Sequence, residues 1–312
     1  MFMKLIKSFI LIILCLFAIT PVFAANASKK SAKPFNPVVH KTYDVETKDG
    51  FVIKAYVSYP KTRMNKYPVV ILLHSLGENY TSFAGLENKL NYAGFATVGM
   101  DLRGHGKSVY TKTLRQRAWQ YFKNDTYALY PSDVLYVMQY VKAKHKRFDF
   151  SDYAIIGSDI GANTGILVAR VLPVKPKALV LFSPMMSIKG LYIPVAMTEI
   201  GLAPILAIAS STDALSISQQ SKLAKFAQGN FDALNMPKGG MGMTLLKGYP
   251  ELEYQITYWL KAYFKGRLTP ITPASLAAAK AKAAAAKAAK AAKLKAAREA
   301  KLKKAGKSAK KK

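Results

Sequence analysis

Short apolar runs alternate with longer amphipathic segments through the middle of the chain. The apolar runs have the length of buried strands, and apolar positions three or four residues apart predict helices between them. The predicted strands are Val38 to Glu46, Phe51 to Tyr59, Pro68 to His74, Phe95 to Leu102, Tyr153 to Ile156, Ala178 to Phe182, Pro204 to Ala209 and Phe231 to Met236. The predicted helices are Phe83 to Ala93, Pro131 to Lys144, Ile160 to Arg170, Ile217 to Ala227 and Glu251 to Phe264. This alternation predicts an α/β fold, with a mostly parallel sheet flanked by helices.

The two ends of the chain differ in composition from this middle part. Residues 1–24 begin with lysines, continue with an apolar stretch and end in small residues, which predicts a signal peptide; an uncleaved anchor is the less favoured alternative. A polar linker follows at 25–37, then the α/β domain at 38–268. Residues 269–312 form a proline hinge and a Lys/Ala-rich tail, which we expect to be disordered or helical. We therefore expect an exported protein, periplasmic or extracellular and surface-associated.

The net charge of +30 and the pI near 10.0 depend strongly on this tail. Its basic residues run from Lys280 to Lys312 against one acidic residue, Glu299. The tail could be a solvated appendage, but we favour a polycation, because so many like charges repel one another unless a partner neutralises them. The expected partners are anionic envelope polymers or lipids. The tail has no aromatic residue on which a base could stack, so we expect no specific nucleic-acid recognition.

The sequence from Gly157 to Gly161, GSDIG, follows a predicted strand and precedes a predicted helix. This is the spacing of a nucleophile elbow, in which two glycines allow a strained central residue to project from the top of a sheet. The central residue is Asp159, where a serine is usual. Because aspartate can also act as a nucleophile, the elbow alone does not decide activity.

Together with this elbow, two more motifs resemble the α/β-hydrolase superfamily. They are LHSLG at 73–77 and DLRGHGKS at 101–108, and the elbow continues to 163 as GSDIGAN. The similarity is greatest to bacterial esterase-like and dienelactone-hydrolase-like members. It implies an α/β-hydrolase fold, and the connection at 185–202 is too short for a full cap domain.

The resemblance also implies a set of site residues. Asp213 stands at the place of the family's catalytic acid, although a loop-capping role is an equal alternative. The backbone amides of Leu76 and Ile160 correspond to the oxyanion hole. By the same resemblance, His74 matches the histidine that opens the family's oxyanion loop, and His105 lies in the turn after the next strand. We favour a structural role for both.

The same resemblance indicates that the family's general base is missing from this chain. The family places a histidine in a glycine-rich loop before the closing helix, and Met241 occupies that place in the stretch GGMGMTLL. No histidine follows His145, and a thioether cannot accept a proton. Relatives that use an aspartate nucleophile, such as haloalkane dehalogenases and epoxide hydrolases, also need this histidine. Asp159, Asp213 and Met241 are therefore interpreted as vestigial triad positions.

Two hypotheses follow. The first is a catalytically silent binding or scaffolding protein, held at an anionic envelope surface by its tail, with a small-molecule ligand in the vestigial pocket as a further candidate. The second is an active exported ester or acyl hydrolase that uses a non-standard base such as His74 or His105. The sequence contains no metal-ligand spacing and no nucleotide-binding fingerprint, so we expect no metal and no cofactor. A histidine within hydrogen-bonding distance of Asp159 would favour the second hypothesis.

Overall fold

The computed structural model describes residues 38–62 and 64–264. The predicted signal peptide and linker at 1–37, and the hinge and tail from 269 onward, lie outside the described residues. Among the residues described, no helix has the length and apolar character needed to cross a membrane.

The described residues form the following elements. The strands are β1 (Val38–Glu46), β2 (Val52–Pro60), β3 (Tyr67–Leu73), β4 (Ala96–Met100), β5 (Phe148–Ser158), β6 (Ala178–Phe182), β7 (Ser187–Ile188), β8 (Leu191–Tyr192), β9 (Ile205–Ser210) and β10 (Phe231–Met236). The α-helices are α1 (Ala84–Tyr92), α2 (Asn124–Tyr127), α3 (Tyr130–Lys144), α4 (Ile160–Val171), α5 (Pro194–Glu199), α6 (Ala214–Leu223), α7 (Thr244–Gly248) and α8 (Leu252–Tyr263). Short 3₁₀ turns span Tyr80–Phe83, Trp119–Tyr121 and Ala224–Phe226.

Eight of these strands form one sheet in the order β1-β2-β4-β3-β5-β6-β9-β10. Strand β2 runs antiparallel to β1 and β4, and the neighbours from β4 to β10 are parallel. The predicted α/β fold with a mostly parallel sheet is therefore confirmed. Parallel strands end at the same edge of the sheet, so the loops after β3, β4, β5, β6 and β9 meet there.

The sheet separates two hydrophobic cores, because successive residues of a strand point to opposite faces. In β3, Val69 and Ile71 belong to the core that includes α3 and α4, whereas Val70 and Leu72 belong to the core that includes α1 and α8. All seven residues of β3 are buried, as expected for a central parallel strand covered on both sides.

Two elements begin more than one residue away from their predicted starts. Strand β5 begins at Phe148 rather than Tyr153, because Phe148 and Asp149 also pair with β3, ahead of a register shift between Pro68 and Val69. Helix α6 begins at Ala214 rather than Ile217, because the Asp213 side chain accepts a hydrogen bond from the Ser216 amide and caps the helix start.

Candidate active site

Asp159 occupies a sharp elbow between β5 and α4. Its backbone has φ 52° and ψ −116°, a conformation that few non-glycine residues adopt. The flanking glycines are required by close packing: a Cβ on Gly157 would lie 2.5 Å from the carbonyl oxygen of Gly161, and a Cβ on Gly161 would lie 2.2 Å from the carbonyl oxygen of Leu73. The GSDIG sequence thus forms the strand–elbow–helix arrangement that its spacing predicts.

The carboxylate of Asp159 is hydrogen-bonded to the backbone amides proposed as the oxyanion hole. The Leu76 N–H donates to Asp159 Oδ2 at 3.1 Å, and the Ile160 N–H also donates to this carboxylate. The Asp159 side chain is almost completely buried. An oxyanion hole acts by donating two such amides to a developing negative charge on the substrate. In this protein the two amides already donate to a carboxylate of the protein itself, that of Asp159.

Burial raises the pKa of the Asp159 carboxyl above its ordinary value. The amide donors of Leu76 and Ile160 oppose this rise, and the nearby carboxylates of Glu78 and Asp213 add to it. One carboxylate oxygen of Glu78 is buried and has no hydrogen-bond partner among the described residues. The site is therefore acidic, although the chain as a whole is strongly basic.

Asp213 is brought to the same side of the sheet, and its carboxylate has local partners. Asp213 Oδ1 accepts a hydrogen bond from the Ser216 N–H at 3.0 Å, and Oδ2 accepts one from the Ser216 hydroxyl. Of the two roles predicted for Asp213, the structure shows the capping contact. Among the described residues, no histidine hydrogen-bonds to Asp213, so the orienting role of a catalytic acid has no partner there.

The glycine-rich loop places Gly242, and not the Met241 side chain, against the polar floor of the site. The Gly242 N–H donates to Ser183 Oγ at 3.0 Å, and a Cβ at this position would lie within 2.8 Å of the hydroxyls of Ser75 and Ser158. The Met241 side chain is 47% exposed. The loop thus closes over the site through its backbone.

Ser75 and Ser158 form a hydrogen-bonded pair beside the elbow, with 2.8 Å between their hydroxyl oxygens. Both are buried, and no base contacts either hydroxyl among the described residues. Neither this pair nor the close approach of Gly242 is predicted from the sequence. The three glycines at 239, 240 and 242 were the available signal, because a glycine is favoured where backbone approaches another group closely.

His74 and His105 have structural partners on both ring nitrogens. His74 Nδ1 donates to the Ser75 carbonyl at 2.7 Å, and its Nε2 accepts from the Leu102 N–H at 2.8 Å. His105 Nδ1 donates to the Arg103 carbonyl at 3.0 Å, and its Nε2 accepts from the Gly77 N–H at 3.0 Å.

These contacts require neutral rings, and burial lowers the pKa of His74 to about 3 and of His105 to about 4. The chain has four histidines, and the other two lie away from the elbow. His40 is on the edge strand β1, and His145 contacts the Tyr43 hydroxyl at 3.0 Å. Within the described residues, no histidine hydrogen-bonds to Asp159.

No group of three or more His, Cys, Asp or Glu side chains that could hold a metal ion occurs in the described part of the chain. The acidic side chains around the elbow therefore do not form a recognisable metal centre.

We expect the raised pKa of Asp159 to appear as a pH-dependent cost in stability. The folded protein holds the Asp159 proton more tightly than the unfolded chain does. Stability from this group is therefore fully present below the carboxyl's ordinary pKa of 3.8 and is lost as the pH rises through the raised value. Asp159→Asn cannot ionise, so its free energy of unfolding should rise relative to wild type as the pH increases. Urea unfolding of both proteins from pH 4 to pH 8 tests this, and a difference that is constant with pH would contradict it.

Comparison with known proteins agrees with this fold. The family model described as serine aminopeptidase, S33 matches residues 65–250, more than half of the chain. No curated protein matches the sequence.

Three solved structures illustrate the similarity. The dienelactone hydrolase of Anabaena variabilis is 16% identical, with a TM-score of 0.54 over 74% of this chain and 99% of that one. An esterase of Pyrococcus furiosus is 14% identical, with a TM-score of 0.57 over 72% and 91%. The acylaminoacyl peptidase of Pyrococcus horikoshii is 14% identical, with a TM-score of 0.56 over 75% of this chain and 42% of that one. At these identities the structures show a common fold, and the family model shows membership. The chain belongs to the serine aminopeptidase S33 family, within the α/β-hydrolase superfamily.

Proposed function

We propose that this protein is a catalytically silent member of its family, exported and held at an anionic envelope surface, where it binds or scaffolds. The observation that carries the proposal is the hydrogen bond from the Leu76 amide to the Asp159 carboxylate. The donor that a substrate oxyanion would need is already occupied. An incoming ester carbonyl would have to displace a buried, hydrogen-bonded carboxylate.

Among the described residues no histidine hydrogen-bonds to Asp159, and this strengthens the proposal. An ester intermediate on Asp159 could be hydrolysed only by an activated water. The ring nitrogens of His74 and His105, the histidines of the motif loops, are already occupied by backbone partners, so neither can activate that water. Loss of one essential member of a catalytic triad typically lowers turnover by about a million-fold. A site that lacks both the serine and a positioned histidine is therefore expected to be inactive towards esters.

An active ester or acyl hydrolase with non-standard residues is the second candidate. It is supported by the family itself and by the printed names of its structural neighbours, which include an esterase and an acylaminoacyl peptidase. Family membership favours hydrolysis as a function but does not supply the missing base, because function depends on the site rather than on the fold.

Hydrolysis of a panel of short-chain aryl esters by the purified full-length protein separates these candidates. We expect wild type and Asp159→Asn to hydrolyse every ester at the same background rate, because neither has an activated nucleophile. Both proteins are purified identically, so a contaminating esterase would contribute equally. Wild-type hydrolysis that Asp159→Asn abolishes would establish the second candidate instead.

The tail is proposed as the contact with the envelope. Residues 280–312 carry fourteen lysine and arginine residues and one glutamate. Without aromatic residues or an apolar face, such a segment can bind dense polyanions mainly by releasing their counterions. The binding should therefore weaken steeply with salt and should not depend on the order of the residues.

Truncation at Thr269 should abolish retention on heparin and on anionic lipid vesicles at low salt. A scrambled tail of the same composition is the matched control and should be retained as strongly as wild type. The intact protein should elute from both at about a few tenths molar salt, as expected for many phosphate-like contacts. If the truncated chain is retained equally, the tail is not the contact, and the basic surface of the folded domain binds the polyanion instead.

A further inference from the structure

We propose that a cavity remote from Asp159 binds a small aliphatic carboxylate. The cavity has a volume of about 240 Å³ and lies between α3, the first half of β5 and the segment that follows α4. Its apolar lining includes Met138, Phe150, Tyr153 and Leu172. Gln139 and Lys142 provide its polar lining.

This cavity is separate from the candidate active site. Asp159 follows the carboxyl end of β5, whereas Tyr153 lies six residues earlier on the same strand. At a rise of about 3.3 Å per residue, this places the cavity roughly 20 Å from Asp159, towards the amino-terminal edge of the sheet. None of the residues that line it belongs to the elbow, the Leu76 loop or the Gly242 loop.

The floor of the cavity offers an apolar surface, and its tyrosine hydroxyl donor is already used. The Tyr153 hydroxyl already donates to the Val174 carbonyl at 2.9 Å, so it does not demand a polar group from a ligand. Met138 can adapt to ligands of different shape because its side chain is unbranched. At the entrance, Val174 is 45% exposed and also lines the cavity. An aliphatic chain fits this environment.

The charge at the entrance selects the other end of the ligand. Gln139 and Lys142 are three residues apart on α3 and therefore share one helix face. Both are exposed, and neither side chain has a hydrogen-bond or ion-pair partner among the described residues. Among the described residues that line the cavity, Lys142 carries the one positive charge and none carries a negative charge.

A second lysine near the cavity is already engaged. Lys175 Nζ donates to the carbonyls of Ala169, Arg170 and Leu172 at the end of α4. This lysine neutralises the carbonyl end of the helix, which would otherwise repel an anion. Lys142 is left to bind an anion, and the Gln139 amide can donate a second hydrogen bond to it. A carboxylate accepts both.

The volume limits the length of the chain. At about 30 Å³ per water-sized group, 240 Å³ accommodates roughly eight such groups. Hexanoate has this size, so it is the probe of choice, and hexan-1-ol and hexylammonium are matched ligands that lack the negative charge.

Methyl NMR of the full-length protein, labelled at its methionine methyl groups, tests the proposal. The Met138 signal is assigned by Met138→Leu. Hexanoate should shift the Met138 signal saturably and leave the Met241 signal in place, whereas hexanol and hexylammonium should bind more weakly. Lys142→Gln should weaken hexanoate binding about fivefold, the effect of losing one partly exposed charge pair. Lys222→Gln, an exposed lysine on α6, is the control and should bind as wild type does.

Val174→Trp should fill the entrance and abolish the shift. Because Lys142 is exposed, Lys142→Gln should fold normally and keeps the proposal testable if the tryptophan variant does not fold. Hexanoate held only by the basic tail would leave the Met138 signal unshifted, and this would overturn the proposal. Equal affinities for Lys142→Gln and wild type, or equal affinities for hexanoate and hexylammonium, would also overturn it.

Discussion

Replacing Arg103 with methionine should lower the free energy of unfolding by about 3–5 kcal/mol, because it leaves a buried carboxylate without its partner. The guanidinium donates to Asp133 through Nε at 2.7 Å and through Nη2 at 2.6 Å, and both side chains are buried. It also donates to Asp49 through Nη1 at 2.5 Å and lowers the pKa of that carboxyl to about 2. These bonds connect the loop after β4 to α3 and to the β1–β2 hairpin.

Arg170→Met is the matched control for this experiment. Arg170 pairs with Glu199 at 2.7 Å, but both side chains are 43% exposed, and such surface pairs contribute about 0–1 kcal/mol. Urea unfolding at pH 7 measures both variants. A second variant, Arg103→Met with Asp133→Leu, should recover part of the loss because no unpaired charge is left buried. A loss below 1 kcal/mol for Arg103→Met would show that the cluster is solvated rather than buried.

The sequence predicts the architecture well because its apolar runs are strong and well separated. The predicted bounds of β6 and β10 match the structure to the residue, and a fully buried β3 follows from an uninterrupted apolar run. The prediction is less accurate where polar residues interrupt the apolar run of a strand, as in the first half of β5. There the strand forms because Phe148 pairs with Tyr67 of β3, about eighty residues away in the sequence, and the local periodicity does not indicate such a distant pairing.

The elbow at Asp159 was also predictable, because its glycines act locally on the backbone. The occupation of the Leu76 amide was not, because it joins residues 83 positions apart. The cap formed by Asp213 lies between these cases: its partner is three residues away, at Ser216, and a D-x-x-S pattern before a helix could have indicated it. Roles that depend on neighbouring residues could be read from the sequence, and roles that depend on loop packing could not.

Met241 is an example of a residue whose role depends on loop packing. Its position in the glycine-rich loop corresponds to the family's histidine, yet alignment by motif fixes only the order of residues and not which one faces the site. The close approach of Gly242 to Ser158 arises from positive φ angles at Gly239, Gly240 and Gly242, which redirect the loop. The role of Met241 as the base position therefore stays a prediction, and a substitution can test it.

Asp159→Ser should convert the elbow into a weak esterase. Removing the carboxylate leaves the Leu76 and Ile160 amides free to donate to a substrate oxyanion, and the elbow backbone would present a hydroxyl in place of the acid. Catalytic sites that lack a triad member retain about 10³-fold enhancement over water through the oxyanion hole and binding alone. Aryl-ester hydrolysis by Asp159→Ser should therefore exceed that of wild type and of Asp159→Asn.

Adding Met241→His to Asp159→Ser should give no further increase. Met241 is 47% exposed, and the loop places Gly242 rather than residue 241 against Ser158, so a histidine at 241 would not be directed at the new serine. Asp159→Ser with Met241→Gln is the matched control, because glutamine has a polar side chain but no basic nitrogen. A correctly placed base contributes at least about 10²-fold, so an increase of that size with histidine and not with glutamine would show that the loop can rearrange and that 241 is the base position.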